Sequence, residues 1–171
     1  MSEFFKKLFG GSRPQNKQNT VDHPIGQKQN DTFEDAMSEI AADAVDKFGV
    51  QAGNGLDLTP GSLAAVESLL SELSERSGDL TVEQESEIVQ LLGAYILEVG
   101  RREFGGKYSW YEAGNEPVLV VGQPVFSIAM IPGDKVRGRL RGDEADNIPF
   151  FYDGFAERAR RAEPGDAITY V

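Results

Sequence analysis

One run of eleven residues, at positions 89–99, constrains the fold of this chain more than any other part of the sequence. Its only strongly polar residues are Gln90 and Glu98. A helix on the surface of a domain carries polar residues along a whole face, and a helix that spans a bilayer needs about 20 apolar residues. The run fits neither case. It therefore predicts a helix that is buried by neighbours on several sides.

The ends of this helix are also marked in the sequence. Thr81 followed by Gln84 predicts a capping box at its start, because the two side chains can satisfy each other's backbone N–H groups. Gly105-Gly106 predicts its end, since glycine takes the left-handed conformation there without steric cost. Gly93 and Gly100 lie on nearly one face, and each costs about 1 kcal/mol relative to alanine. We expect another backbone to pack closely against that face.

Hydrophobic spacing predicts helices before the central run and a mixture of strands and helices after it. The two earlier helices are predicted at residues 31–48 and 60–76. The later elements are strands at 107–112, 117–121 and 125–131, a short helix at 134–141, a helix within 143–161 and an edge strand at 167–171. Together they predict an α+β fold, in which N-terminal helices pack on a small antiparallel β-sheet with a C-terminal helix. A single domain over residues 31–171 is expected.

The first 30 residues differ from the rest in composition. Residues 11–30 are rich in glutamine and asparagine and poor in apolar residues, which predicts a flexible N-terminal tail. The preceding stretch, MSEFFKKLFG, predicts a short amphipathic helix whose apolar face is formed by Phe4, Phe5, Leu8 and Phe9. Such a segment could make weak peripheral contact with a membrane or dock in a groove. The alternative is a frayed start that packs on its own domain or makes no contact.

Composition excludes several classes of chemistry. The chain has no cysteine, and its single histidine, His23, lies in the polar tail. A Ser-His-Asp triad, a cysteine-ligated zinc site and a histidine-based metal site are therefore not expected. Neither GxxxxGKS/T nor GxGxxG occurs, so no cofactor is predicted. No signal peptide or membrane-spanning run is visible, which makes the cytoplasm the expected compartment.

The net charge of −11 is unevenly distributed along the chain. Residues 31–100 carry fifteen acids and two bases, whereas residues 1–30 carry five bases and two acids. Nucleic-acid binding needs a basic surface, so we do not expect it. An acidic surface of this kind either keeps a protein in solution or attracts a basic partner protein.

Glu98 is the most unusual residue of the central helix, because it places a carboxylate in an apolar run. Arg101 and Arg102 follow within ion-pair reach, Tyr95 lies one turn earlier, and Trp110 can approach from the first strand. These five residues define a candidate ligand-binding site at the seam between helix and sheet. One interpretation is a polar pocket in which burial raises the pKa of Glu98 and makes it a general base. The other is a structural ion pair that ties the end of the helix to the sheet.

A second candidate is a basic patch formed by four alternate residues, Lys135, Arg137, Arg139 and Arg141. In a strand they would line one face, whereas in a helix Val136 and Leu140 would contact the core. The Pro-Gly-Asp start favours the helix. The patch could contact phosphate or an acidic protein, or it could be a solvated helix face.

Three stretches of the sequence resemble a group of small, uncharacterised bacterial proteins, over about residues 45–155. They are LDLT at 56–59, LGAY at 92–95, and a strand entry in which Gly105-Gly106 precedes Trp110. Leu58 and Leu97 stand where that group has tyrosine and glycine. The resemblance implies a fold and a bacterial cytosolic setting, without a known activity.

On these grounds we expect a non-enzymatic module of the immunity or regulatory type that binds another protein, and the acidic residues 31–100 would suit a basic partner. The alternative is a small-ligand binder or an enzyme that uses the pocket around Glu98.

Overall fold

Five α-helices and four β-strands form residues 28–171, which are the residues that the computed structural model describes, with side chains from Phe33 onward. The helices are α1 Lys28–Phe48, α2 Leu63–Ser74, α3 Val82–Phe104, α4 Gly133–Leu140 and α5 Ile148–Arg161. The strands are β1 Lys107–Tyr111, β2 Glu116–Val121, β3 Ser127–Met130 and β4 Ala167–Tyr170. The α+β class is confirmed. The predicted amphipathic start, with Phe4, Phe5, Leu8 and Phe9, and most of the predicted tail lie outside the described residues.

Helix α3 lies at the centre of the fold, as its sequence predicts. Every residue at positions 91–100 is buried, and Thr81 and Gln84 form the predicted capping box. Helix α1 packs along one side of α3, while α4 and β2 contact it elsewhere. The helix ends before Gly105, whose φ of 70° lies in the left-handed region that favours glycine.

The two glycines within α3 have different surroundings, so the prediction of a closely packed backbone is wrong. A Cβ atom on Gly100 would lie 2.9 Å from atoms of Leu119 and Met130, which are side chains of the sheet. A Cβ atom on Gly93 would meet nothing within 4 Å. Gly100 therefore lets the helix approach the sheet, whereas Gly93 borders open space.

The sheet has the order β1-β2-β3-β4, and its first three strands are antiparallel, as predicted. Strand β4 pairs with β3 in parallel, with Ile128 opposite Ile168, so the prediction of an antiparallel sheet is wrong for this strand. The cause is the connection, because α4 and α5 lie between the two strands and a helical crossover joins parallel neighbours. The predicted edge position of β4 is confirmed.

One face of the sheet packs against the helices. Its buried side chains in the core around α3 are Leu119, Val121, Ile128 and Met130. Helix α4 adds Val136 and Leu140 to that core, which confirms the helical interpretation of the basic run. Within residues 28–171, no helix combines the length and the apolar character needed to cross a membrane.

Candidate functional site

Glu98 lies at the centre of a closed hydrogen-bond cluster between α3, α1 and β1. Its side chain is almost completely buried, and both carboxylate oxygens accept hydrogen bonds. One oxygen accepts from Arg101 Nη2 and Arg102 Nε, each at 3.0 Å. The other accepts from Arg101 Nε at 2.9 Å and from the Tyr108 hydroxyl at 2.7 Å, with Ser38 Oγ at 3.5 Å. No lone pair of the carboxylate is left facing open space in this arrangement.

The electrostatics of this cluster favour a permanently charged carboxylate. Burial opposes the charge on Glu98, but hydrogen bonds from its two arginines and from Tyr108 outweigh that effect and lower its pKa from 4.5 to about 2. Burial and the hydrogen bond to Glu98 raise the pKa of the Tyr108 hydroxyl, which therefore stays protonated and donates. A general base works best with a pKa near the operating pH. The geometry therefore favours the structural interpretation of Glu98 over the catalytic one.

Only part of the predicted five-residue site comes together. Glu98, Arg101 and Arg102 are in direct contact, whereas Tyr95 points away from them. The Tyr95 hydroxyl accepts a hydrogen bond from the Leu58 backbone N–H at 2.9 Å and lies 2.5 Å from Ser62 Oγ. Tyr95 thus holds the loop before α2, in which Leu58 has a positive φ of 59°.

Trp110, the fifth predicted residue, lies beside the cluster without joining it. Its ring makes an edge contact with Phe33, which also makes one with Tyr108. Tyr108 was not among the predicted site residues. The sequence did contain a signal for it, because Tyr108 and Trp110 are two residues apart in a strand and therefore lie on the same face.

The predicted basic patch is neutralised by acids throughout. The ion pairs join Lys135 to Asp146 at 2.9 Å, Arg137 to Asp134, Arg139 to Glu67 at 2.5 Å, and Arg141 to Glu85 at 2.7 Å. Arg139 is itself buried, and Glu67 also accepts the backbone N–H of Ile148 at 3.0 Å. These contacts tie α4 to α2, α3 and the start of α5. They favour a structural role for this run over a phosphate-binding one.

An open pocket lies between α1, α3, the turn from β1 to β2, and the start of α4. Its volume is about 270 Å³. The α1 wall consists of Phe33, Met37 and Ile40, and the α3 floor includes Gly93 and Leu97. Because Gly93 has no side chain and faces no neighbour within 4 Å, its position leaves the floor open. Gly93 is thus one of the residues that leave this space open between α1, α3 and the sheet.

The rim of this pocket is polar and aromatic. Trp110, Glu116 and Arg137 lie on it, and the Trp110 side chain is 44% exposed. The Glu116 carboxylate lies so close to the backbone of Gly133 that a Cβ atom there would collide with it. Burial and the charge of Asp134 raise the pKa of Glu116, while Arg137 and the Gly133 N–H partly oppose this change. The lining therefore contains one carboxylate and one guanidinium, and Asp134, which pairs with Arg137, lies next to it.

The sequence predicted a site at the seam of helix and sheet around Glu98, whereas the open pocket lies over Gly93. Gly93 was noted as an unusual glycine in a buried helix, and its position was interpreted as a close contact. The contribution of α1 and Glu116 depends on how distant segments pack, which no local pattern indicates.

Comparisons with known protein families, with curated proteins and with solved structures find no match to this chain. Among residues 28–171, no three acidic or histidine side chains are grouped so that they could hold a metal ion.

Proposed function

We propose that this protein is a non-enzymatic binding module that receives an apolar side chain from a basic segment of a partner protein. The observation that carries the proposal is the open pocket over Gly93, which has apolar walls and the Glu116 carboxylate in its lining.

The lining of the pocket supports a protein partner. Its volume of about 270 Å³ lies just below the range of about 300–1,000 Å³ that is usual for drug-sized ligands. A single large side chain can act as the anchor of a protein interface when it enters such a space. Met37 and the aromatic rings of Phe33 and Trp110 are suited to that contact, because methionine adapts its shape and aromatic rings bury large apolar areas.

The charges around the pocket support a basic partner. Near the pocket, Glu116 and Asp134 carry two negative charges against the one positive charge of Arg137. Residues 31–100, which include most of α1 and most of α3, carry fifteen acids against two bases. A field of one sign raises the rate at which an oppositely charged partner meets the surface.

A small organic cation is a second candidate ligand. It is favoured by the presence of Trp110 and Glu116 in the lining of the same pocket. An indole ring and a carboxylate together attract a cationic group. A saturable change in Trp110 fluorescence with tetramethylammonium, and none with a peptide, would support this candidate over the first.

The proposal can be tested with Trp110, the single tryptophan of the chain. We expect a synthetic peptide with alternating phenylalanine and lysine pairs to shift Trp110 emission to shorter wavelength in a saturable way. A matched peptide with glutamate in place of lysine should bind at least tenfold more weakly, which corresponds to about 1.4 kcal/mol.

Two variants at one position provide the control. Gly93→Met should fill the pocket and abolish the shift, whereas Gly93→Ala should keep most of the volume and most of the binding. Equal binding by Gly93→Met and the wild type would show that the peptide binds elsewhere and would refute the proposal.

A further inference from the structure

We propose that the pocket is occupied, in the free full-length protein, by the protein's own N-terminal segment, residues 3–9. This inference rests on the proposed function of the same pocket and adds its regulation. A partner would then have to displace residues 3–9 before it could bind.

The first described residues of the chain, at the start of α1, lie close to the pocket. Helix α1 begins at Lys28, and Phe33, five residues later, already belongs to the pocket wall. Five helical residues correspond to about 7.5 Å along the axis. Residues 11–27 connect the segment to α1, and seventeen residues can span at most about 60 Å. The connection is therefore long enough for residues 3–9 to reach the pocket of the same molecule.

The chemistry of the segment matches the pocket. Residues 3–9 read EFFKKLF, with two lysines between two pairs of large apolar side chains. The apolar walls around Gly93 can receive one of the phenylalanines. Lys6 and Lys7 would then lie near Glu116, which lines the pocket, and near Asp134 next to it. These two acids exceed the single positive charge of Arg137. This is the combination of an apolar anchor and positive charge that the proposed function requires of a partner.

Because residues 3–9 and the pocket belong to the same chain, a weak contact between them is enough to keep the pocket occupied. Two segments joined by a short linker meet at an effective concentration of about 1 mM. An intrinsic Kd of about 0.1 mM would then leave the occupied pocket in about tenfold excess over the empty one. A segment of seven residues, which binds weakly by itself, can therefore occupy the pocket when it belongs to the same chain.

The test compares two full-length variants that each lose apolar side chains from the first 27 residues. The first is Phe4→Ser/Phe5→Ser/Phe9→Ser, and its matched control is Val21→Ser/Ile25→Ser. We expect acrylamide to quench Trp110 about twofold more efficiently in the first variant than in the wild type, and the control to equal the wild type. The first variant should also bind the phenylalanine-lysine peptide about tenfold more tightly than the wild type, since its pocket is free.

A second measurement does not depend on changing the N-terminal segment. Gly93→Met should expel residues 3–9 from the pocket, so trypsin should cleave after Lys6 and Lys7 faster than in the wild type. Gly93→Ala should be cleaved at the wild-type rate. Equal rates for all three proteins would overturn the inference.

The outcomes separate this inference from the proposed function. If the triple-serine variant and the wild type bind the peptide equally and show equal quenching, self-occupancy is wrong while the pocket remains a binding site. If neither binds the peptide, the proposed function itself fails. If the quenching of wild-type Trp110 rises on dilution, the occupant comes from a second copy, and the intramolecular inference is overturned.

Discussion

Two neighbouring regions of α3 face the seam between α1 and the sheet, and they differ in almost every physical respect. The Glu98 cluster is closed, and each oxygen of its carboxylate accepts hydrogen bonds from Arg101, Arg102 or Tyr108. The pocket over Gly93 is open and has apolar walls. A charged residue in a buried helix can therefore have a purely structural role. A missing side chain in the same helix can be the better indication of a binding site.

The largest effect on stability is expected from a substitution in the closed Glu98 cluster. Glu98→Gln should lower the free energy of unfolding by about 3 kcal/mol, because it leaves two guanidinium groups without their shared charge. Glu87→Gln is the matched control on the same helix. Glu87 pairs with Lys47 at 2.5 Å but is 38% exposed, so its loss should cost less than about 1 kcal/mol. Urea denaturation measures both values. An unchanged midpoint for Glu98→Gln would contradict the structural role of Glu98 and would make a role in ligand binding the better interpretation.

The second prediction concerns the pH dependence of the same region. Since folding lowers the pKa of Glu98 from 4.5 to about 2, its stabilising effect is fully present above pH 4.5 and is lost as the pH falls toward 2. The shift corresponds to roughly 3 kcal/mol. The difference in unfolding free energy between the wild type and Glu98→Gln should therefore shrink over this interval. A difference that stays constant down to pH 2.5 would contradict the assigned ion pair.

The smallest effects on stability are expected from alanine substitutions at the two glycines within α3, Gly93 and Gly100. Gly93→Ala should stabilise the protein by up to about 1 kcal/mol, because alanine is the better helix former and its Cβ meets no neighbour within 4 Å. Gly100→Ala should destabilise it by about 1 kcal/mol, because its Cβ would press on Leu119 and Met130. Thermal melts of the two variants should move in opposite directions. A loss of stability in Gly93→Ala would mean that the pocket floor is packed after all.

Much of the fold was predictable from the sequence because its signals are local. The capping box at Thr81, the stop at Gly105 and the spacing of apolar residues predicted α3 and its burial. The alternation after residue 106 predicted three antiparallel strands, which the structure confirms. The parallel pairing of β4 was missed, because strand direction depends on where α4 and α5 carry the chain.

The candidate site was less predictable, because it is assembled from separate segments. The contacts of Glu98 with Arg101 and Arg102 follow from helical spacing and were predicted. Its contact with Tyr108 and the separation of Tyr95 were not, since each depends on a partner from another element.

The sequence by itself determined the elements of this protein, the buried helix at its centre and the uneven distribution of its charge. These properties depend on residues within a turn or two of each other. Only the tertiary structure decided that Glu98 is enclosed, that the cations of α4 are paired, and that Gly93 borders a pocket with Phe33 and Glu116. The physical reason is that cavities and buried ion pairs depend on how segments distant in the chain pack against one another, and the residues near them in sequence do not specify that packing.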